Sequence, residues 1–78
     1  MWQKEKRVVI TFYTTTAAMQ MERVCKELGQ KGRIIPVPRE ISAGCGLAWS
    51  APEEERENLV SVMEAHHITA QQITVLEL

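Results

Sequence analysis

The sequence predicts an α+β fold whose elements follow the order strand, helix, strand, strand, helix, strand. Three observations carry this prediction. A run of β-branched and aromatic residues lies near the start, two segments have apolar residues at helical spacing, and Gly or Pro residues separate the elements. With 78 residues, 45% hydrophobic and 24% charged, the chain has the size and composition of one small globular domain. We therefore expect a single domain over residues 1–78.

The first half of the chain predicts a strand followed by a helix. Arg7–Tyr13 is β-branched and aromatic, which is typical of a strand buried on both faces. Thr14–Thr16 supplies three hydroxyls where a helix N-cap would lie. From Ala17 the apolar positions 17, 18, 21, 24, 25 and 28 have helical spacing. Gly29 and Gly32 then mark the end of the helix.

The second half predicts two strands, a helix and a last strand. Arg33–Val37 is a short strand, and Pro36 within it favours an edge position. After a loop, Leu47–Trp49 is the third strand, and Ser50–Glu53 has the residues of a capping box. The helix that follows extends to about His66 with an inward stripe of Leu59, Val60 and Met63, and the last strand is Gln72–Leu78.

With right-handed crossovers, this order predicts a ferredoxin-like split βαβ sandwich. Its four strands form an antiparallel sheet of order 4-1-3-2, with both helices on one face. The topology brings the start of the first helix at Thr14–Thr16, the loop that carries Cys45 and the helix end at His66–His67 to the same edge. A thin core and one exposed sheet face leave room for a homodimer.

Composition excludes several classes of function. A net charge of −1 and a pI of about 6.1 give no basic excess for binding nucleic acid. No apolar run approaches the length of about 18 residues that crosses a membrane, and no secretory signal core is apparent. We therefore expect a cytoplasmic protein without nucleic-acid or membrane partners. In that compartment thiols stay mostly reduced, which disfavours a disulfide between Cys25 and Cys45.

The segment Pro36–Gly46 holds the best candidate for chemistry, which is Cys45. Gly44 and Gly46 flank this cysteine, so no neighbouring side chain shields its sulfur, and glycine allows a close approach of backbone to a ligand. A helix N-terminus and Arg39 would both stabilise a thiolate at this place. The alternative is that the glycines only serve the turn and Cys45 is a passive small residue.

The remaining reactive residue types have simpler interpretations. Cys25 falls on the inward stripe of the first helix, where a cysteine behaves as a small hydrophobe. His66 and His67 are adjacent and therefore point to different sides of a helix, which makes shared metal binding awkward. Two cysteines and two histidines without ligand spacing do not indicate a zinc site, so we expect neither a metal nor a cofactor.

Across nearly its whole length, the sequence resembles the small bacterial family of putative Se/S carrier-like proteins. The specific part is the Pro-x-Pro-Arg-Glu…Ser-x-Gly-Cys-Gly motif of residues 36–46, preceded by Thr11-Phe12-Tyr13 and the threonines that follow. The resemblance implies that Cys45 carries sulfur or selenium as a persulfide or selenosulfide. It further implies donor and acceptor proteins, for example a cysteine-desulfurase-like donor. The additional Cys25 is not required by that role.

Two functions remain open from the sequence. In the first, the protein is a carrier without turnover of its own, with Cys45 as acceptor thiol. Arg39 and Thr14, Thr15 and Thr16 would stabilise anionic forms, and Gly44 and Gly46 would give access. In the second, the domain senses a small ligand or acts as an adaptor, and Cys45 is incidental. A redox switch that pairs Cys25 with Cys45 is disfavoured. Thr16 is expected at the same edge as Cys45, and Cys25 lies about 13 Å along the helix from Thr16, which is too far for a disulfide.

Overall fold

Four strands form one antiparallel sheet, and the computed structural model describes residues 5–41 and 45–78. The elements are β1 (Lys6–Phe12), α1 (Thr15–Leu28), β2 (Arg33–Pro36), β3 (Leu47–Pro52), α2 (Arg56–Ala65) and β4 (Ala70–Glu77), with a 3-10 turn at Glu53–Glu55 before α2. The strand order is β2-β3-β1-β4, which is the predicted order 4-1-3-2 viewed from the other side. The α+β class and the strand order are therefore confirmed, and β2 lies at an edge.

Helix α1 begins and ends at the residues that the sequence indicated. The Thr14 hydroxyl accepts a hydrogen bond from the Ala17 N–H at 3.1 Å, so Thr14 is the N-cap. Gly29 has a left-handed backbone with φ of 68°, and the next N–H, that of Gln30, donates to the Cys25 carbonyl at 2.8 Å. These contacts form a Schellman motif, which satisfies the last carbonyls of the helix.

The predicted capping box at Ser50 is wrong. Ser50 lies inside β3, 2% exposed, and its hydroxyl accepts a hydrogen bond from Arg7 Nε at 2.8 Å. Pairing between Arg7 and Pro52 extends the ladder of β3 with β1 beyond the predicted end at Trp49. Ser50 is therefore taken into the sheet, and α2 begins only after the 3-10 turn, without a side-chain cap.

The C-terminal end of α2 repeats the geometry of α1 with a different residue. His67 has φ of 56°, and the Ile68 N–H donates to the Met63 carbonyl at 2.9 Å. Ile68 and Met63 are both buried in the same core cluster. This is a second Schellman motif with its hydrophobic contact, in which His67 occupies the position that Gly29 occupies in α1.

One face of the sheet and both helices enclose the main core, so the helices lie on one side. The largest fully buried side chains of this helix-side core come from both layers, with Trp49, Phe12 and Ile10 from the sheet and Met21 and Leu59 from the helices. Leu28 belongs to the predicted inward stripe but is 50% exposed, because α1 ends at this residue beyond the edge of the core. All five residues of 8–12 in β1 are buried, as predicted for a strand covered on both faces.

The helix-free face of the sheet is also buried at its centre, contrary to the expectation of an exposed face. Val9 and Ala48 have no solvent exposure and form a second, small cluster with Ile41 from the loop that follows β2. Thr11 and Ser50 lie on this same face by register and are also buried. The loop that leads to Cys45 therefore contributes to the packing of this face.

Candidate functional site

The strand register brings several predicted site residues to one edge of the sheet, here the side at which the strands begin or end rather than an outer strand. Pro36 pairs with Leu47, and Phe12 pairs with Ala70, so β1 and β2 end where β3 and β4 begin. The N-terminus of α1, the Cys45 loop and the C-terminal end of α2 adjoin this edge, which we name the Cys45 edge. The Gln20 side-chain amide donates to the His66 carbonyl at 3.4 Å and joins the two helices there.

Cys45 is half-buried at this edge and packs against the helix-side core. Its S–H donates a hydrogen bond to the Leu47 carbonyl at 3.4 Å. This bond ties the sulfur to the first residue of β3.

Space is open where a side chain would stand at Gly46, the residue after this thiol. Gly46 has φ of 83°, which side chains rarely tolerate, and apart from its two chain neighbours no atom of the described residues lies within 4 Å of the place where a Cβ would stand. The Val37 N–H donates to the Gly46 carbonyl at 3.0 Å and closes the base of the loop. Gly44, the other predicted glycine, lies outside the described residues. Gly46 thus places no side chain beside Cys45.

The predicted anion-stabilising residues lie near the same edge but do not contact the sulfur. Thr14 already uses its hydroxyl as the helix cap, while Thr15, Thr16 and Arg39 are exposed. Within residues 5–41 and 45–78, none of these four side chains hydrogen-bonds to Cys45, and no carboxylate forms an ion pair with Arg39. The first turn of α1 contains no acidic residue, so its positive end is not neutralised locally.

The second cysteine, Cys25, differs from Cys45 in its burial. Cys25 has no solvent exposure and belongs to the helix-side core, which confirms its predicted core role. Burial raises the pKa of the Cys25 thiol from 9.0 to about 11. Both cysteines are free thiols. Cys25 is therefore protonated at neutral pH and inaccessible to solvent.

Sequence reasoning missed two exposed hydrophobic residues close to this site. Tyr13 is 63% exposed, although the sequence placed it in a strand buried on both faces. It leaves the sheet because β1 ends at Phe12, where the chain turns into α1. Met19, 61% exposed, lies on the outward side of α1 and lines a surface pocket of about 490 Å³. Alternation within a strand cannot reveal the exposure of Tyr13, since the place where β1 ends decides it.

The described residues contain neither a membrane-crossing helix nor a metal-binding cluster. None of the helices is both long and apolar enough to cross a bilayer. In residues 5–41 and 45–78, no group of three or more His, Cys, Asp or Glu side chains is arranged to hold a metal ion.

The comparison with known proteins points to one family. The family model described as "Putative Se/S carrier protein-like" matches residues 7–75, from the second residue of β1 into β4. The match spans both helices, all four strands and the Cys45 loop. No curated protein and no solved structure matches the chain significantly. Because the match covers far more than half of the residues, the chain belongs to the "Putative Se/S carrier protein-like" family.

Proposed function

We propose that the protein carries sulfur or selenium on Cys45, as a persulfide or a selenosulfide. One observation carries the proposal beyond the family name. The sequence has two cysteines, and only Cys45 combines partial exposure, an open neighbouring space and a position at a sheet edge. Cys25 is fully buried and protonated. A carrier needs a thiol that two successive partner proteins can reach, and only Cys45 meets that requirement.

The proposed transfer is a thiolate exchange without net oxidation. Cys45 releases its proton to solvent, and its thiolate attacks the terminal sulfur of a donor persulfide. A new S–S bond forms on Cys45, the S–S bond of the donor breaks, and the donor cysteine leaves as a thiolate that takes up a proton. With a donor selenosulfide, the same step transfers selenium. Attack by an acceptor thiol on the terminal atom then restores the Cys45 thiol.

The geometry of the edge supports each part of this step. Breaking the bond from Cys45 to the Leu47 carbonyl frees the sulfur for deprotonation. The cationic Arg39 and the N-terminus of α1 adjoin the same edge and favour an anionic sulfur or selenium. The protein then has no turnover of its own and depends on donor and acceptor proteins. A reducing compartment such as the cytoplasm suits this chemistry, since both thiols are free.

Intact mass spectrometry tests the carrier function directly. Reduced protein is incubated with cysteine persulfide, and the wild type is compared with Cys45→Ser and with Cys25→Ala. We expect the wild type and Cys25→Ala to gain the mass of one sulfur, a gain that reducing agent removes and that Cys45→Ser does not show. An unloaded wild type, or loading that persists in Cys45→Ser, would reject the carrier function and favour the ligand-sensing or adaptor alternative.

We also propose that the fold is ferredoxin-like. Its support is the strand order β2-β3-β1-β4 together with two helices on one side of the sheet. An experimental structure in which the crossovers from β1 to β2 and from β3 to β4 have the opposite hand would reject the label.

A further inference from the structure

The loop between β2 and β3 is attached to both faces of the sheet. Before the cysteine, Ile41 is 6% exposed and packs with Val9 and Ala48 on the helix-free face. Four positions later in the chain, Cys45 packs against the core on the opposite, helix side of the sheet. The loop therefore has one hydrophobic contact on each side of the Cys45 edge.

The chain between these two contacts is short. Cys45 follows Ile41 by four residues, so an extended chain allows at most about 14 Å between their Cα atoms. On the other side of Cys45, the bond from the Val37 N–H to the Gly46 carbonyl fixes the base of the loop at 3.0 Å. A turn closed by the Ile41 N–H and the Pro38 carbonyl, also 3.0 Å apart, sets the approach of Ile41 to the sheet. The place of Ile41 on the sheet therefore limits where Cys45 can lie.

We propose that Ile41 is a positioning residue for Cys45, an inference that rests on the proposed carrier function. Its side chain contributes no chemistry and holds the loop so that the Cys45 sulfur stays at the edge, bonded to the Leu47 carbonyl, until a partner docks. Sulfur transfer between two proteins needs the attacking thiolate aligned with the S–S bond that breaks, and a preset position removes much of the entropy cost of alignment. A large aliphatic side chain in this loop is thus part of the carrier site.

The test compares two reactions of Cys45 that respond in opposite directions. In Ile41→Ala the loosened loop exposes the sulfur, so alkylation of Cys45 by iodoacetamide becomes about three- to tenfold faster. Transfer from a persulfide held on a donor protein becomes about tenfold slower or more, because the aligned geometry is lost. Peptide mass mapping assigns the alkylated cysteine, and intact mass follows the sulfur.

Leu76→Ala is the matched control, since Leu76 packs against the same small cluster as Ile41 but lies near the end of β4, opposite Cys45. It removes a side chain of the same size far from Cys45, and we expect it to leave both rates within about twofold of the wild type. Ile41→Leu is expected to restore both rates. If Ile41→Ala does not fold, Ile41→Val gives the same two directions with smaller changes.

Equal behaviour of Ile41→Ala and Leu76→Ala in both reactions would overturn the positioning role. Acceleration of both reactions in Ile41→Ala would also overturn it, since loop exposure alone would then govern transfer. If the wild type accepts no sulfur, the carrier function fails, but the alkylation rates still decide whether Ile41 positions Cys45. The two hypotheses are therefore separable.

Discussion

Burial of one cysteine and exposure of the other predict a strongly selective alkylation of the folded protein. The perturbation is treatment with iodoacetamide at pH 8. Because burial raises the pKa of the Cys25 thiol to about 11, its thiolate fraction at that pH is about 10⁻³. An unhindered free thiol with a pKa of about 8.5 has about a quarter of its molecules as thiolate. The smaller thiolate fraction alone makes the alkylation of Cys25 roughly 200-fold slower than that of the free thiol.

Inaccessibility adds to this factor. The Cys25 side chain has no solvent exposure, so the reagent reaches it only through local or global opening of the domain. A thiolate of higher pKa is also a better nucleophile, by about tenfold here, so the lower bound for the folded protein is a ratio of about 20. Cys45 is half-buried and faces open space at Gly46, so it reacts without such opening.

The assay follows both cysteines by peptide mass mapping over time, with glutathione as the reference thiol. The variant Cys45→Ser isolates the rate of Cys25, and Cys25→Ala isolates the rate of Cys45. In denaturant, the two cysteines should react at similar rates, which controls for local sequence effects. Modification of Cys25 in folded protein within about fivefold of the glutathione rate would refute the reasoning, because that rate exceeds the bound set by its thiolate fraction and nucleophilicity.

Three further predictions concern stability, each measured by urea unfolding. Because burial raises the pKa of Cys25, its protonated thiol contributes stability below pH 9 that is lost as the pH rises toward 11. Between pH 8 and 10.5 the free energy of unfolding of the wild type should therefore fall by about 2 kcal/mol more than that of Cys25→Ala. Equal losses would contradict the pKa shift. Since His67 has φ of 56°, His67→Gly should stabilise by about 0.5–1 kcal/mol, whereas Gly29→Ala should destabilise by about 1 kcal/mol; a destabilised His67→Gly would count against this backbone cost. A Cβ at Gly32 would lie 2.5 Å from Trp49 Nε1, so Gly32→Ala should cost about 1–3 kcal/mol, and a neutral effect would exclude that close packing.

Local signals in the sequence were sufficient for most of the element order. The threonines before α1, Gly29 after it and Pro36 in β2 act through nearby backbone, so their effect is readable from the sequence alone. The capping box failed for the opposite reason. Ser50 has the residue type of a cap, but its partner is Arg7, forty-three positions away, and strand pairing takes precedence over the local pattern.

The α+β element order and the family could be read from the sequence alone, which also predicts Cys45 rather than Cys25 as the reactive thiol. These depend on residue type and spacing, which the chain carries directly. Only the tertiary structure decided that Cys45 donates to the Leu47 carbonyl, that Tyr13 is exposed, and that Ile41 packs on the helix-free face. Each of these depends on where a strand ends or on a contact between distant residues, and such contacts exist only after the chain has folded.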